Sequence, residues 1–269
     1  MQLPDRGHPL DFWGQALGTW AIPEEILSQA QSSPWQLPVG RFAGRADDAV
    51  ANPGGWSYER AASALPLGGS VLDVGAGAGA ASLPLAQRAG LLTAVDTSDA
   101  MLQAFAERAA ALNVDAATVQ GSWPAVAVDV VPHDVVVVHH VLYNVADLEP
   151  FVRALTNHAR QRVVVEVPPC HPMSWSNPLW QQFWGIERPV SPTADDLVAA
   201  LRSLGVRDLV VYRWQRQDLD TTPLADRVDL VTARLCLPPE RRPEVEVVLR
   251  ELPPVQRRDV VTIAWAGSA

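Results

Sequence analysis

The chain has 269 residues, 48% of them hydrophobic, and a net charge of −9 in which every one of the 21 basic residues is arginine. Length and composition fit a soluble globular domain with appendages, and acidity without basic clusters argues against a nucleic-acid binder, whose affinity rests on phosphate contacts. Apolar runs such as "DVVVVHHVL" fall far short of a membrane span. The N-terminus has no basic-then-apolar signal pattern, and Cys170 and Cys236 stand outside any CxxC spacing, so the reading is a reduced, cytoplasmic protein.

In chain order, residues 1–64 read as a Trp-rich helical cap, with helices expected near 10–20, 23–31, 40–51 and 56–64. From 65 to 269 the character changes to a second unit in which apolar β-branched runs alternate with Ala/Leu-rich helices. "SVLDVG" reads as a buried strand, "ASLPLAQRAG" as a helix ending in glycine and "LLTAVD" as a strand. The helix "DAMLQAFAERAAALN" follows, with Ser98 as N-cap, then the strands "AATVQG" and "HDVVVVHH", the helix "DLEPFVRALTNHA" and the strand "RVVVEV". Residues 168–192, rich in Pro and Trp, break the rhythm. "TADDLVAALRSLG" resumes it as a helix with Thr193 and Asp196 as a capping pair, and 207–214 is a strand. A helical excursion within 215–258 precedes a closing strand at 259–265. Strands without alternation, separated by amphipathic helices, mean an α/β fold whose doubly wound, mostly parallel sheet is covered on both faces.

In such a sheet ligands bind beyond the carboxyl ends of the strands, where strand order reverses, so the first strand–turn–helix is the place to look. Gly75, Gly77 and Ala80 satisfy G-x-G-x-x-A, and Asp96 lies where a ribose-binding acid of a nicotinamide dinucleotide site belongs. Three features favour another cofactor. Asp73 lies two residues before the first glycine, where a dinucleotide needs no carboxylate but a cofactor with an ammonium group does. Gly79 extends the glycines to an i, i+2, i+4 series. The sheet also begins only after a helical preface.

At these residues the chain resembles the class I S-adenosylmethionine-dependent methyltransferases: Val71 to Gly79 (VLDVGAGAG), then Ala94-Val-Asp96-Thr-Ser98, Gln120 to Pro124 (QGSWP) and His133 to Asn144 (HDVVVVHHVLYN). The resemblance spans about 65–214 and the closing strand. It implies a seven-stranded sheet whose last strand runs antiparallel, and S-adenosylmethionine as cofactor with S-adenosylhomocysteine as product. It also implies roles. Asp73 and the backbone of Gly75, Ala76, Gly77 and Gly79 would hold the methionine part, and Asp96 the ribose. Thr97 and Met101 would flank ribose and adenine. Gly121, Ser122 and Trp123 would line the adenine pocket, with Ser122 standing where many relatives carry an acid.

On the acceptor side, the fourth strand ends in "HHVLYN". By the resemblance this end faces the methyl group, and His139 would touch the cofactor. Neighbouring strand residues point to opposite faces, so at most one of His139 and His140 is expected to meet substrate directly, where a neutral histidine is suited to act as a general base near pH 7. Tyr143 and Asn144 would orient the acceptor. Seven of the ten tryptophans fall in 1–64 and 168–192, as a lid over the acceptor or as packing. Cys170 and His171 have no further ligands at metal-like spacing, so no metal is expected. The expectation is methyl transfer to O, N or S of a small molecule by in-line displacement, by a monomer or homodimer without nucleic-acid or membrane partners. RNA or protein methylation, a nicotinamide-dependent oxidoreductase and a non-catalytic S-adenosylmethionine-binding protein are the alternatives.

Overall fold

The computed structural model of the chain describes residues 7–35, 39–217, 222–252 and 257–269. Four helices come first: α1 (Pro9–Gly18), α2 (Glu24–Leu27), α3 (Val39–Ala51) and α4 (Gly55–Ala64). Then follow β1 (Gly69–Val74), β2 (Ala89–Asp96), α5 (Asp99–Ala111), β3 (Asp115–Gln120), β4 (His133–His139), α6 (Leu148–Asn157) and β5 (Ala159–Val167). The chain closes through α7 (Asn177–Trp184), α8 (Ala194–Ser203), β6 (Val210–Gln217), α9 (Leu224–Arg234), α10 (Arg242–Glu251) and β7 (Arg257–Ala266).

The seven strands form one sheet in the order β3-β2-β1-β4-β5-β7-β6. Pairing is parallel from β3 to β5, and β7 runs antiparallel to both β5 and β6. The order reverses between β1 and β4, which makes their carboxyl ends the switch point. The central strands are apolar on both faces because both are covered: Val135 to Val138 of β4 are completely buried. One apolar cluster joins Trp13 of α1 with α6 and α8 against one face, and another joins α4 and α5 with the other. A third has no strand in it. Ile22, Ile26, Trp180, Phe183, Val231, Leu237 and Leu249 bring α2, α7, α9 and α10 together as a small core of their own.

Local signals decide most element ends. Ser98 Oγ accepts from Met101 N at the start of α5, and Thr193 with Asp196 forms the expected capping box of α8. Two expectations are corrected. The helix expected over 81–90 is a series of turns with one 3₁₀ turn, Leu83–Leu85, and β2 already begins at Ala89; Pro84 has no N–H to donate and its ring obstructs an α-helical turn. The helix expected over 23–31 stops at Leu27, where Ser28 Oγ and Gln29 Nε2 both donate to the Glu25 carbonyl in place of a continuing backbone ladder.

Candidate active site

β1 delivers Asp73 to the switch point, fully buried and followed by the glycine turn. The amides of Gly75 and Ala76 both donate to the carbonyl of Val95, at 2.8 and 3.0 Å, which pins the turn to the end of β2. Gly75, Gly77 and Gly79 have φ of 71°, 52° and 94°. A Cβ on Gly75 would lie 2.4 Å from Val141, and one on Gly79 2.6 Å from Leu83. At Gly77 the same atom would meet only the Phe42 ring of α3 at 3.5 Å, so glycine is needed there for its backbone angle.

Two carboxylates face this turn in different states. Asp96 is tied down by backbone: Gly77 N donates to Oδ2 at 2.8 Å and Ser98 N to Oδ1 at 2.9 Å. Each of its oxygens keeps a lone pair for a hydroxyl donor. Asp73 Oδ2 accepts from Ser82 Oγ at 2.6 Å, while Oδ1 is buried with no partner. Burial pushes the Asp73 carboxyl up to about 7, and the charge of Asp96 adds to this against the Ser82 hydrogen bond. A buried carboxylate with an orphaned oxygen fits a cationic group beside the glycine turn.

A second cluster stands where β4, β5 and β6 end. His140 leaves the strand at φ 60°, and its Nε2 reaches Glu166 Oε1 of β5 at 3.2 Å. The same Oε1 takes a hydrogen bond from Arg216 of β6 at 3.0 Å. Burial acts to raise the Glu166 carboxyl, but His139, His140 and Arg216 outweigh it and hold the group well below the usual carboxylate range. His139 pairs in register with Glu166 and has its Nε2 buried without a partner. Burial lowers its ring to about 4, so it is neutral at pH 7.

The residues expected at the site divide. Asp73, Gly75, Ala76, Gly77, Gly79 and Asp96 come together at the turn, and Thr97 and Met101 follow Asp96 at the head of α5. Gly121 N donates to the Asp96 carbonyl, which brings Gly121 and exposed Ser122 beside the same strand end. Trp123 goes elsewhere. Its ring is in the core under α6, Nε1 donating to the Phe151 carbonyl at 3.4 Å and the ring edge-on to His158, so it serves packing rather than an adenine face. Tyr143 is also a core residue: its hydroxyl donates to the carbonyls of Pro168 and Pro169, and its ring lies between Trp13 and His171. That removes the free hydroxyl a catalytic tyrosine needs. Asn144 is exposed. Glu166 and Arg216 escaped sequence reading, since "RVVVEV" and "YRWQRQ" look like ordinary strands; an acid interrupting a buried valine run was the available signal. Ser82 carried no signal. Among the described residues no three His, Cys, Asp or Glu groups gather as a metal site, and no helix is long and apolar enough to cross a membrane.

Residues 71–162, which hold the glycine turn, Asp96 and the β4 end, match the family described as Methyltransferase domain. The matched stretch is a methyltransferase domain, and it marks the chain as an S-adenosylmethionine-dependent methyltransferase. Solved structures agree on the fold of this methyltransferase. The YcgJ protein of Bacillus subtilis superposes with a TM-score of 0.51 at 15% identity, covering 84% of this chain and 99% of its own. A protein of Bacillus halodurans described as a methyltransferase gives 0.52 at 13% identity, covering 82% and 100%. A structure reported for the conversion of a disulfide bond into a thioacetal group during echinomycin biosynthesis gives 0.52 at 14%, covering 81% and 84%. No curated protein is significantly similar in sequence to this chain. The cofactor of this methyltransferase is S-adenosylmethionine, and the unpaired Asp73 oxygen beside the open glycine turn suits the ammonium of its methionine part.

Proposed function

We propose that this methyltransferase transfers the methyl group to O, N or S of a small molecule. The cap carries this reading. α2, α7, α9 and α10 share an apolar core outside the sheet, and the segment leading into α7 starts at the carboxyl end of β5. Tyr143 on Pro168, His171 stacked on Trp20 at 3.8 Å and Arg188 on the carbonyls of Trp20 and Ala21 tie this cap to that end of the sheet, an arrangement that suits a compact acceptor better than a macromolecule.

Asp73 and the Gly75–Gly79 backbone hold the methionine part, Asp96 the ribose hydroxyls, and Thr97, Met101, Gly121 and Ser122 the adenine. The bound cofactor supplies a methyl group on a positively charged sulfur open to in-line attack. The protein's work is alignment and exclusion of water. His139, neutral and unpartnered, lines the methyl-facing end of β4. His140 is the base: with Nε2–H donated to Glu166, its Nδ1 is free to take a proton from the acceptor, and the Glu166 carboxylate stabilises the imidazolium that results.

The test has two stages. Calorimetric titration with S-adenosylhomocysteine should give micromolar binding, with none for NADH. Transfer of label from methyl-tritiated S-adenosylmethionine should then reach hydroxyl, amine or thiol compounds of a small-molecule library. Label entering only RNA or protein of a cell extract would overturn the small-molecule assignment.

A further inference from the structure

Arg234, the last residue of α9, is a cation that the cap leaves unanswered. Its Nε is buried and makes no hydrogen bond. Its Nη1 meets the thioether of Met173 at 2.7 Å, a weak acceptor for a guanidinium. Among the described residues no carboxylate pairs with it, whereas Arg216 has Glu166, Arg241 has Glu244 and Arg242 has Asp229, and Arg188, which also lacks one, is bonded to the carbonyls of Trp20 and Ala21. The charge acting on Arg234 is a like one, Arg41 of α3; burial first and that repulsion second hold its guanidinium below the usual range. An arginine stays charged under ordinary conditions, and half-burying it without an anion costs stability.

The position of this cation suggests what it is for. Met173 lies in the segment leaving the carboxyl end of β5, six residues past Val167 of that strand, on the side of the sheet where Glu166 and His140 meet. Arg41 adjoins Phe42, whose ring stands over Gly77 of the cofactor turn. Arg234 thus sits on the segment that leaves the carboxyl end of β5, and the like charge that acts on it comes from the helix whose Phe42 meets the cofactor turn.

We propose that Arg234, assisted by Arg41, binds an oxyanion of the methyl acceptor, a carboxylate or a phosphate, so that the enzyme selects an anionic small molecule. The planar guanidinium fork matches both groups, and the ligand's charge would relieve the repulsion between the two arginines. This inference rests on the small-molecule reading above.

The experiment titrates the protein, saturated with S-adenosylhomocysteine, with benzoate, phenyl phosphate and neutral benzamide, and repeats the series on Arg234→Gln and Arg41→Gln. Benzoate or phenyl phosphate should bind at least tenfold tighter than benzamide, and whichever binds identifies the oxyanion. Arg234→Gln should lose at least tenfold of that affinity while binding S-adenosylhomocysteine like the parent. Its melting temperature should be no lower than the parent's, because an unpaired, half-buried charge is gone. Unchanged anion binding in Arg234→Gln, or no preference over benzamide, overturns the proposal. Loss of S-adenosylhomocysteine binding in Arg234→Gln also overturns it, because the oxyanion held would then be the cofactor's own carboxylate. Should Arg234→Gln not fold, Arg41→Gln decides by the same readouts. Cofactor binding by the parent reports separately on the methyltransferase reading.

Discussion

The amide of Gly77 donates to Asp96 Oδ2 at 2.8 Å, across 19 residues of sequence. One carboxylate thus sets the second glycine of the turn and keeps lone pairs for further donors, so the glycine loop and the acid proposed to bind ribose form one device. Asp96→Ala removes the anchor of the turn together with the charged acceptor for two hydroxyls. Calorimetry should show S-adenosylhomocysteine binding weakened by about 2–3 kcal/mol. Parent-like affinity would exclude Asp96 from ribose binding.

Asp73 links cofactor binding to pH. Its carboxyl, raised to about 7 by burial, must ionise to pair with the ammonium. S-adenosylhomocysteine should bind about tenfold more weakly at pH 6 than at pH 8, since the protonated fraction competes with binding. Asp73→Asn should bind weakly and without that pH dependence. The stability effect has the opposite sense. With the folded value above the unfolded one, the parent loses stability as pH rises from about 4 to 7, while the neutral amide loses none. Asp73→Asn, which keeps an acceptor for Ser82, should therefore melt higher than the parent at pH 8, with the gap closing toward pH 4.

Glu166 is a positioning residue. Glu166→Gln should lower kcat by roughly ten- to a hundredfold, because His140 loses the carboxylate that orients it and stabilises its cation, while the KM for S-adenosylmethionine stays near the parent's. His140→Gln should cost at least as much, and the double variant should be no slower than His140→Gln alone, as expected of residues acting in one pair. Additive losses would separate Glu166 from His140.

The tryptophans of the additions differ by burial, so their energetics should too. Trp180 is 2% exposed and Trp175 is 47% exposed. Trp180→Ala should destabilise the protein by about 3–5 kcal/mol and Trp175→Ala by less than about 1 kcal/mol, read from denaturant midpoints. Hydrogen exchange over 168–192 tests for lid closure: protection that appears only with cofactor bound would mark this segment as moving onto the site.

The sequence by itself determined the elements whose signals are local. β-branched runs without alternation made the parallel strands, Ser98 and Thr193 capped their helices, and the DVGAGAG turn and Asp96, some twenty residues on, meet at the end of β2. These depend on residues close in the chain, where propensity, capping and glycine angles act directly. Only the tertiary structure brought together the cluster proposed to face the acceptor. His140, Glu166 and Arg216 come from the ends of three strands, and Arg234 reaches Met173 across 61 residues of chain; no spacing in the chain encodes these meetings. The same holds for Trp123 and Tyr143, whose positions in the chain suggested a site and whose rings lie in the core. Hydrophobic burial has no direction of its own, so which aromatic ring lines a pocket and which fills a core is settled when helices and sheet close on one another.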